Sequence, residues 1–255
     1  MLVLAGAVTT AGAGIALGLL AGGHTLPGWA GATLVGLALP AVAAAVVIRF
    51  VFWHRIANSV EVTHHQLPEL HRMHVDLVAR MGLNHTPRLF VANGQGALGA
   101  YAAKCQVRRG YVVLFSDLLD IAYLHGDTAT IRFVLAHELG HIKCGHVALW
   151  RTAIRTLPRL LLLDRSVTRA QEYTADRCAA HFAPDGAQGL LALYAGKRMY
   201  RHVDPAARLA TIRPHRDAFW LRVVNVLSTH PVGHRRLEAL AGAPDGVWDV
   251  HGRMC

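Results

Sequence analysis

His137-Glu138-Leu139-Gly140-His141 places two imidazoles four residues apart with a carboxylate beside the first. On a helix, positions i and i+4 share a face with Cβ atoms about 6 Å apart, so both rings can reach one Zn²⁺ at about 2.0–2.1 Å. Glu138 then points toward a water that such an ion activates, which is the chemistry of metal-assisted peptide hydrolysis. Histidine is abundant, at 17 of 255 residues, but only five glutamates occur. Chance yields the pattern roughly 0.02 times in a chain of this composition. The flanks also fit a helix over 128–144: Asp127-Thr128 supplies an N-cap, Ile131, Val134, Leu135, Leu139 and Ile142 an apolar stripe, and Gly145 a terminator.

A catalytic zinc takes three protein donors and keeps one position open. Glu172 is the expected third donor, since Glu172 and Asp176 lie four apart on one face of a second predicted helix, around 167–182. One carboxylate binds the metal while the other, Asp176, accepts the N–H of a ligating imidazole and fixes that ring's orientation. An acidic pair at this spacing is by itself usually a solvated helix face.

The ordered set of segments resembles the membrane-bound zinc endopeptidases that include the HtpX-like heat-shock proteases and the CAAX prenyl proteases. Phe133-Val134-Leu135-Ala136 leading into His137–His146 looks like that family's metal helix. Arg169-Ala170-Gln171-Glu172-Tyr173-Thr174-Ala175-Asp176 looks like its third-ligand helix, and Ser228-Thr229-His230-Pro231 through Arg236-Leu237 like its C-terminal signature. Upstream, Arg88–Ala92 and Gly99–Ala102 look like the strand pair before the active site, although Gly99 stands where the family's edge strand usually carries Asn. The resemblance covers about residues 66–241. It implies zinc ligands His137, His141 and Glu172, one Zn²⁺ per chain, Glu138 as general base, and His230 and Arg236 near the metal, with Arg235 a competitor by proximity. It also implies a zincin-like fold and a protein or peptide substrate held along an edge strand. Only 31 residues separate His141 from Glu172, so the chain resembles a shorter relative without the family's second membrane pair.

Composition adds the surroundings. Residues 1–53 hold a single Lys, Arg, Asp or Glu, namely Arg49, and contain apolar runs at about 2–22 and 29–53. Each is long enough for a bilayer core of about 30 Å at 1.5 Å per residue, which predicts two transmembrane helices. The first run is also the length of a signal peptide's apolar region, but it lacks a basic start. The loop between the runs has no Lys or Arg, whereas Arg49, Arg55, Arg72 and Arg80 follow the second. Positive-inside orientation then predicts a multi-pass cytoplasmic-membrane protein whose domain, 54–255, faces the cytoplasm. That domain carries 25 basic against 16 acidic side chains, which favours anionic membrane lipid. No nucleic-acid module accompanies the charge, so nucleic acid is not an expected partner. Residues 147–163, with Arg151, Arg155 and Arg159 at four-residue intervals, read as an interfacial or amphipathic core helix. Cys105, Cys144, Cys178 and Cys255 show no metal or disulfide spacing and suit a reducing compartment.

The expected domain is α+β, helix-rich with a small sheet. Strands are predicted at 88–92, 98–103 and 111–115, and helices at 67–81, 116–124, 187–202, 215–228 and 233–241 besides the two carrying the site. A protease that cleaves one dedicated regulator in signalling has the same site, but no sensing domain is present. A non-enzymatic zinc-binding membrane protein has no use for Glu138.

Overall fold

The computed structural model describes residues 46–104, 110–148, 163–215 and 218–241, together with positions 22 and 28. Strands β1 (Ser59–Glu61), β2 (Arg88–Ala92), β3 (Ala100–Lys104) and β4 (Gly110–Phe115) form one sheet in the order β1-β2-β4-β3. The central pair, β2 and β4, is parallel, and each outer strand is antiparallel to its neighbour. Arg-Leu-Phe-Val-Ala and Gly-Tyr-Val-Val-Leu-Phe are near-continuous apolar runs, as central strands covered on both faces require. Leu89, Val112 and Leu114 enter the main helical core. Phe90, Ala92, Tyr111 and Val113 form a second core on the outer face, closed by Phe52 and Ile56 of the helical residues 46–57. The Phe52 and Tyr111 ring centroids lie 5.3 Å apart. The two strands that the sequence suggested as a pair, β2 and β3, are therefore separated by β4, and β3 is an edge.

The helical layer begins with α1 (Pro68–Arg80), opened by proline in its first turn and followed by Gly82 at positive φ. After the sheet come α2 (Ser116–His125), α3 (Thr128–Lys143) and α4 (Leu163–Phe182). Asp127 caps α3 as its sequence indicates, accepting from Thr130 N at 3.0 Å and from Thr130 Oγ1 at 2.7 Å. The expected apolar stripe is an understatement. From Ile131 to Gly140 every α3 residue except Arg132 is buried, because the sheet, α2, α4 and a 3₁₀ segment (Pro184–Leu191) enclose the helix. The 3₁₀ segment comes so close that a Cβ on Gly186 would lie 2.1 Å from the Ala129 carbonyl oxygen.

The single helix expected over 187–202 is instead this 3₁₀ segment, α5 (Ala192–Met199) and a short 3₁₀ turn, broken where Gly196 adopts φ 79°. The remaining helices are α6 (Pro205–Ile212), α7 (Phe219–Leu227) and α8 (Gly233–Ala241). Neither β1 nor α6 was expected. Three residues are too few to show alternation, and α6 buries no residue and so leaves no apolar stripe. Among the described residues no helix is long and apolar enough to cross a membrane. The apolar runs at 2–22 and 29–53 lie outside the described residues except for positions 22 and 46–53, and the helix expected at 147–163 does so except for its ends.

Candidate active site

Three elements bring side chains from distant parts of the chain to one point. α3 delivers His137, Glu138 and His141. α4 delivers Glu172 and, one turn later, Asp176. The link before α8 and its first turn deliver His230 and Arg236. The Nε2 atoms of His137 and His141 lie 3.1 Å apart. Glu172 faces both, with Oε2 at 3.5 Å from His137 Nε2 and Oε1 at 3.4 Å from His141 Nε2. One donor atom from each residue fits within 4.8 Å of the others, and no second such His, Cys, Asp or Glu group exists among the described residues. Two imidazole nitrogens and a carboxylate oxygen converging this closely are the donor set that a tetrahedral zinc with one open position takes.

Asp176 stands behind His137 as the helical spacing suggested, with Oδ1 2.9 Å from His137 Nδ1 in a short but bent approach. Arg236 grips the same carboxylate with both arms of its fork, Nε to Oδ2 at 2.7 Å and Nη2 to Oδ1 at 2.5 Å. Its Nη1 lies 3.8 Å from Glu172 Oε2. Arg236, rather than its neighbour Arg235, thus reaches the site carboxylates. Its guanidinium is buried and committed to them, whereas His230 stands at the solvent side. That ring is open to solvent, 66% exposed, with Nε2 3.6 Å from Glu172 Oε1.

The charges hold one another. Burial opposes charge on His137, but Asp176 and Glu172 outweigh it and raise its pKa well above the imidazole range. Burial likewise works against Glu172, yet His137 and His141 hold it far below the carboxylate range. Glu138 differs. Burial pushes it up, only partly offset by His137 and His141. The Ala102 N–H of β3 donates to the Glu138 carboxylate. The edge strand therefore runs beside Glu138.

His146 also lies at the site, although the sequence places it only at the end of the metal-helix motif and gives it no role. Its Nδ1 lies 3.0 Å from His141 Nδ1. The signal was present, five residues past His141 and directly after the terminating Gly145, but it was one histidine among seventeen. Cys144 is half-buried and Cys178 is buried, and neither is in a disulfide.

The model of peptidase family M48 matches the chain over residues 64–164 and 151–243. The chain belongs to peptidase family M48. Within this family assignment, His137, His141 and Glu172 are the group that could hold a metal ion. This M48 peptidase is 29% identical over 148 residues to the plastoglobule-localized metallopeptidase 48, chloroplastic, of Arabidopsis thaliana, a match covering 51% of this chain and 40% of the plant protein. Its fold is similar to that of S. mikatae Ste24p, with a TM-score of 0.50 at 17% identity over 80% of this chain and 57% of that one. The chain thus spans about half the length of the relatives it matches. The helix-rich α+β architecture with its small sheet is shared with Ste24p.

Proposed function

We propose that this M48 peptidase is an endopeptidase of membrane or membrane-proximal proteins. Its zinc is held by His137, His141 and Glu172, and Glu138 is its general base. The observation that carries the reading is the convergence of these three donors beside a buried Glu138. Zinc bound there supplies Lewis acidity and a water acidified toward neutrality. Glu138 accepts a proton from the attacking water and returns it to the departing amine. His230, at the solvent side, donates to the oxyanion that develops on the scissile carbonyl, a contribution of about 2.7–4 kcal/mol for one well-placed donor. Arg236 keeps Asp176 and Glu172 ionised and in place. The free edge of β3, already in contact with Glu138 through Ala102, holds the substrate extended by strand addition.

The membrane half of this reading is supported by the sequence of residues 1–53, taken as a membrane anchor of two helices ahead of a peptidase domain at 54–255. The exposure of Val46, Val47, Phe50 and Trp53 on helical residues 46–57 supports it further. On this reading the domain faces the cytoplasm against anionic lipid, and nucleic acid is not a partner. Glu138→Gln tests the catalytic half. The variant should keep close to one zinc per chain and lose cleavage of a casein-type substrate. Cleavage at the wild-type rate would sink the proposed mechanism.

A further inference from the structure

α3 does not simply stop after its second histidine. Cys144 ends the helix, and Gly145 takes φ 68°, a left-handed conformation for which glycine carries no Cβ penalty. The His146 N–H then donates back to the His141 carbonyl at 2.9 Å and the Gly145 N–H to Ile142 at 3.2 Å. These are the two bonds of a Schellman turn, whose geometry brings the side chain just past the glycine over the side chain three positions inside the helix end. In most such turns that contact is apolar. Here both positions are histidine, and their rings meet edge to face at 5.0 Å between centroids with the Nδ1 atoms 3.0 Å apart.

We propose that this turn is a metal-positioning device, in which His146 accepts the Nδ1–H of His141 and so fixes the tautomer and aim of that ligand. The inference rests on the zinc-ligand reading of His141. A neutral imidazole has one N–H and one lone pair. His141 Nε2 faces His137 and Glu172, so its lone pair must lie there for the ring to bind an ion, and the proton must sit on Nδ1. The atom opposite that proton is His146 Nδ1, which must present a lone pair. His146 therefore carries its own proton on Nε2. The two ligating rings are backed differently. His137 leans on the carboxylate of Asp176, already neutralised by Arg236, whereas His141 leans on an uncharged acceptor. As a lone-pair acceptor the ring orients His141 without the charge a carboxylate there would add. His146 is thus a positioning residue that acts through His141.

The test uses the full chain in detergent, with zinc affinity measured by competition against a chromophoric chelator and the visible spectrum recorded after Co²⁺ substitution. His146→Leu keeps bulk but removes the acceptor, and should weaken zinc binding about 10–100-fold and alter the cobalt spectrum. His146→Asn offers a carbonyl acceptor and should recover most of both. Wild-type affinity and spectrum in His146→Leu would overturn the proposal, as would equal losses in the Leu and Asn variants. If the wild-type chain itself bound no zinc, the reading of His137, His141 and Glu172 would fall first.

Discussion

At the scale of single residues, the site is a contest between burial and pairing, and the pairing wins only while complete. Glu172→Ala should nearly abolish tight zinc binding, because it removes a donor. Asp176→Asn should cost about 10–100-fold, because it weakens only the support behind His137. Chelator competition ranks the two, and equal retention in Glu172→Ala and wild type would remove Glu172 from the metal. Asp176→Ala is a different experiment. It strands Arg236, buried and charged, and should destabilise the metal-free fold by about 3–5 kcal/mol in denaturant unfolding. Replacing both partners, Asp176→Leu with Arg236→Met, should regain much of that stability and none of the zinc affinity. Metal loading also carries a pH signature. His137 in the metal-free site is held protonated through neutrality by Asp176 and Glu172 despite its burial. Zinc must displace that proton, so apparent affinity should fall about tenfold for each unit of pH lowered from 8 to 6. A flat profile in chelator competition would contradict the assigned partners.

At the scale of elements, the metal helix is positioned by how closely its neighbours approach. Gly186 lets the 3₁₀ segment lie on the α3 backbone at Ala129 and against Phe133 Cβ, about two turns and one turn ahead of His137. Gly186→Ala forces a methyl into backbone that cannot move aside, and should cost about 1–3 kcal/mol, visible as a lowered Tm. Wild-type stability in that variant would mean the segment is not packed as described. α1 is tied to the sheet by His74, buried, with Nε2 2.8 Å from the Pro87 carbonyl oxygen. Burial holds its pKa below the ordinary value. A lowered folded pKa means that the unfolded chain binds the extra proton first. Stability from this group is complete above about pH 6.5 and is lost as pH falls below it, at no more than about 1.4 kcal/mol per unit. His74→Gln should therefore flatten the decline in urea-measured stability between pH 6.5 and 5 relative to wild type. An unchanged slope would assign the decline to other groups.

At the scale of the whole molecule, the outer face of the sheet is closed by helical residues 46–57, which include the end of the second apolar run and bring Phe52 against Tyr111. A chain anchored through residues 1–53 would thus hold the sheet, and with it the edge strand β3, at a fixed place relative to the bilayer. With native cysteines replaced, a membrane-impermeant thiol reagent applied to intact cells should label a cysteine placed at Thr25 and miss one at Asp245. The reverse pattern would put the peptidase domain outside and redirect the search to secreted substrates.

His137, Glu138 and His141 are legible from the sequence because one helix determines their relation, and helical spacing is a local property. The same holds for Glu172 with Asp176, for the Asp127 cap, and for the central strands, whose apolar runs report burial on both faces. The sequence could not show which partner each group would meet. Arg236 lies 60 residues from the Asp176 carboxylate it grips, and its commitment there depends on α8 packing against α4. The insertion of β4 between β2 and β3 is likewise a long-range choice, and it makes β3 an edge beside Glu138. His146 lies between the two cases. Its Schellman turn is local and was signalled by Gly145, but whether its ring would meet His141 or solvent depended on side-chain directions that residue spacing alone does not encode.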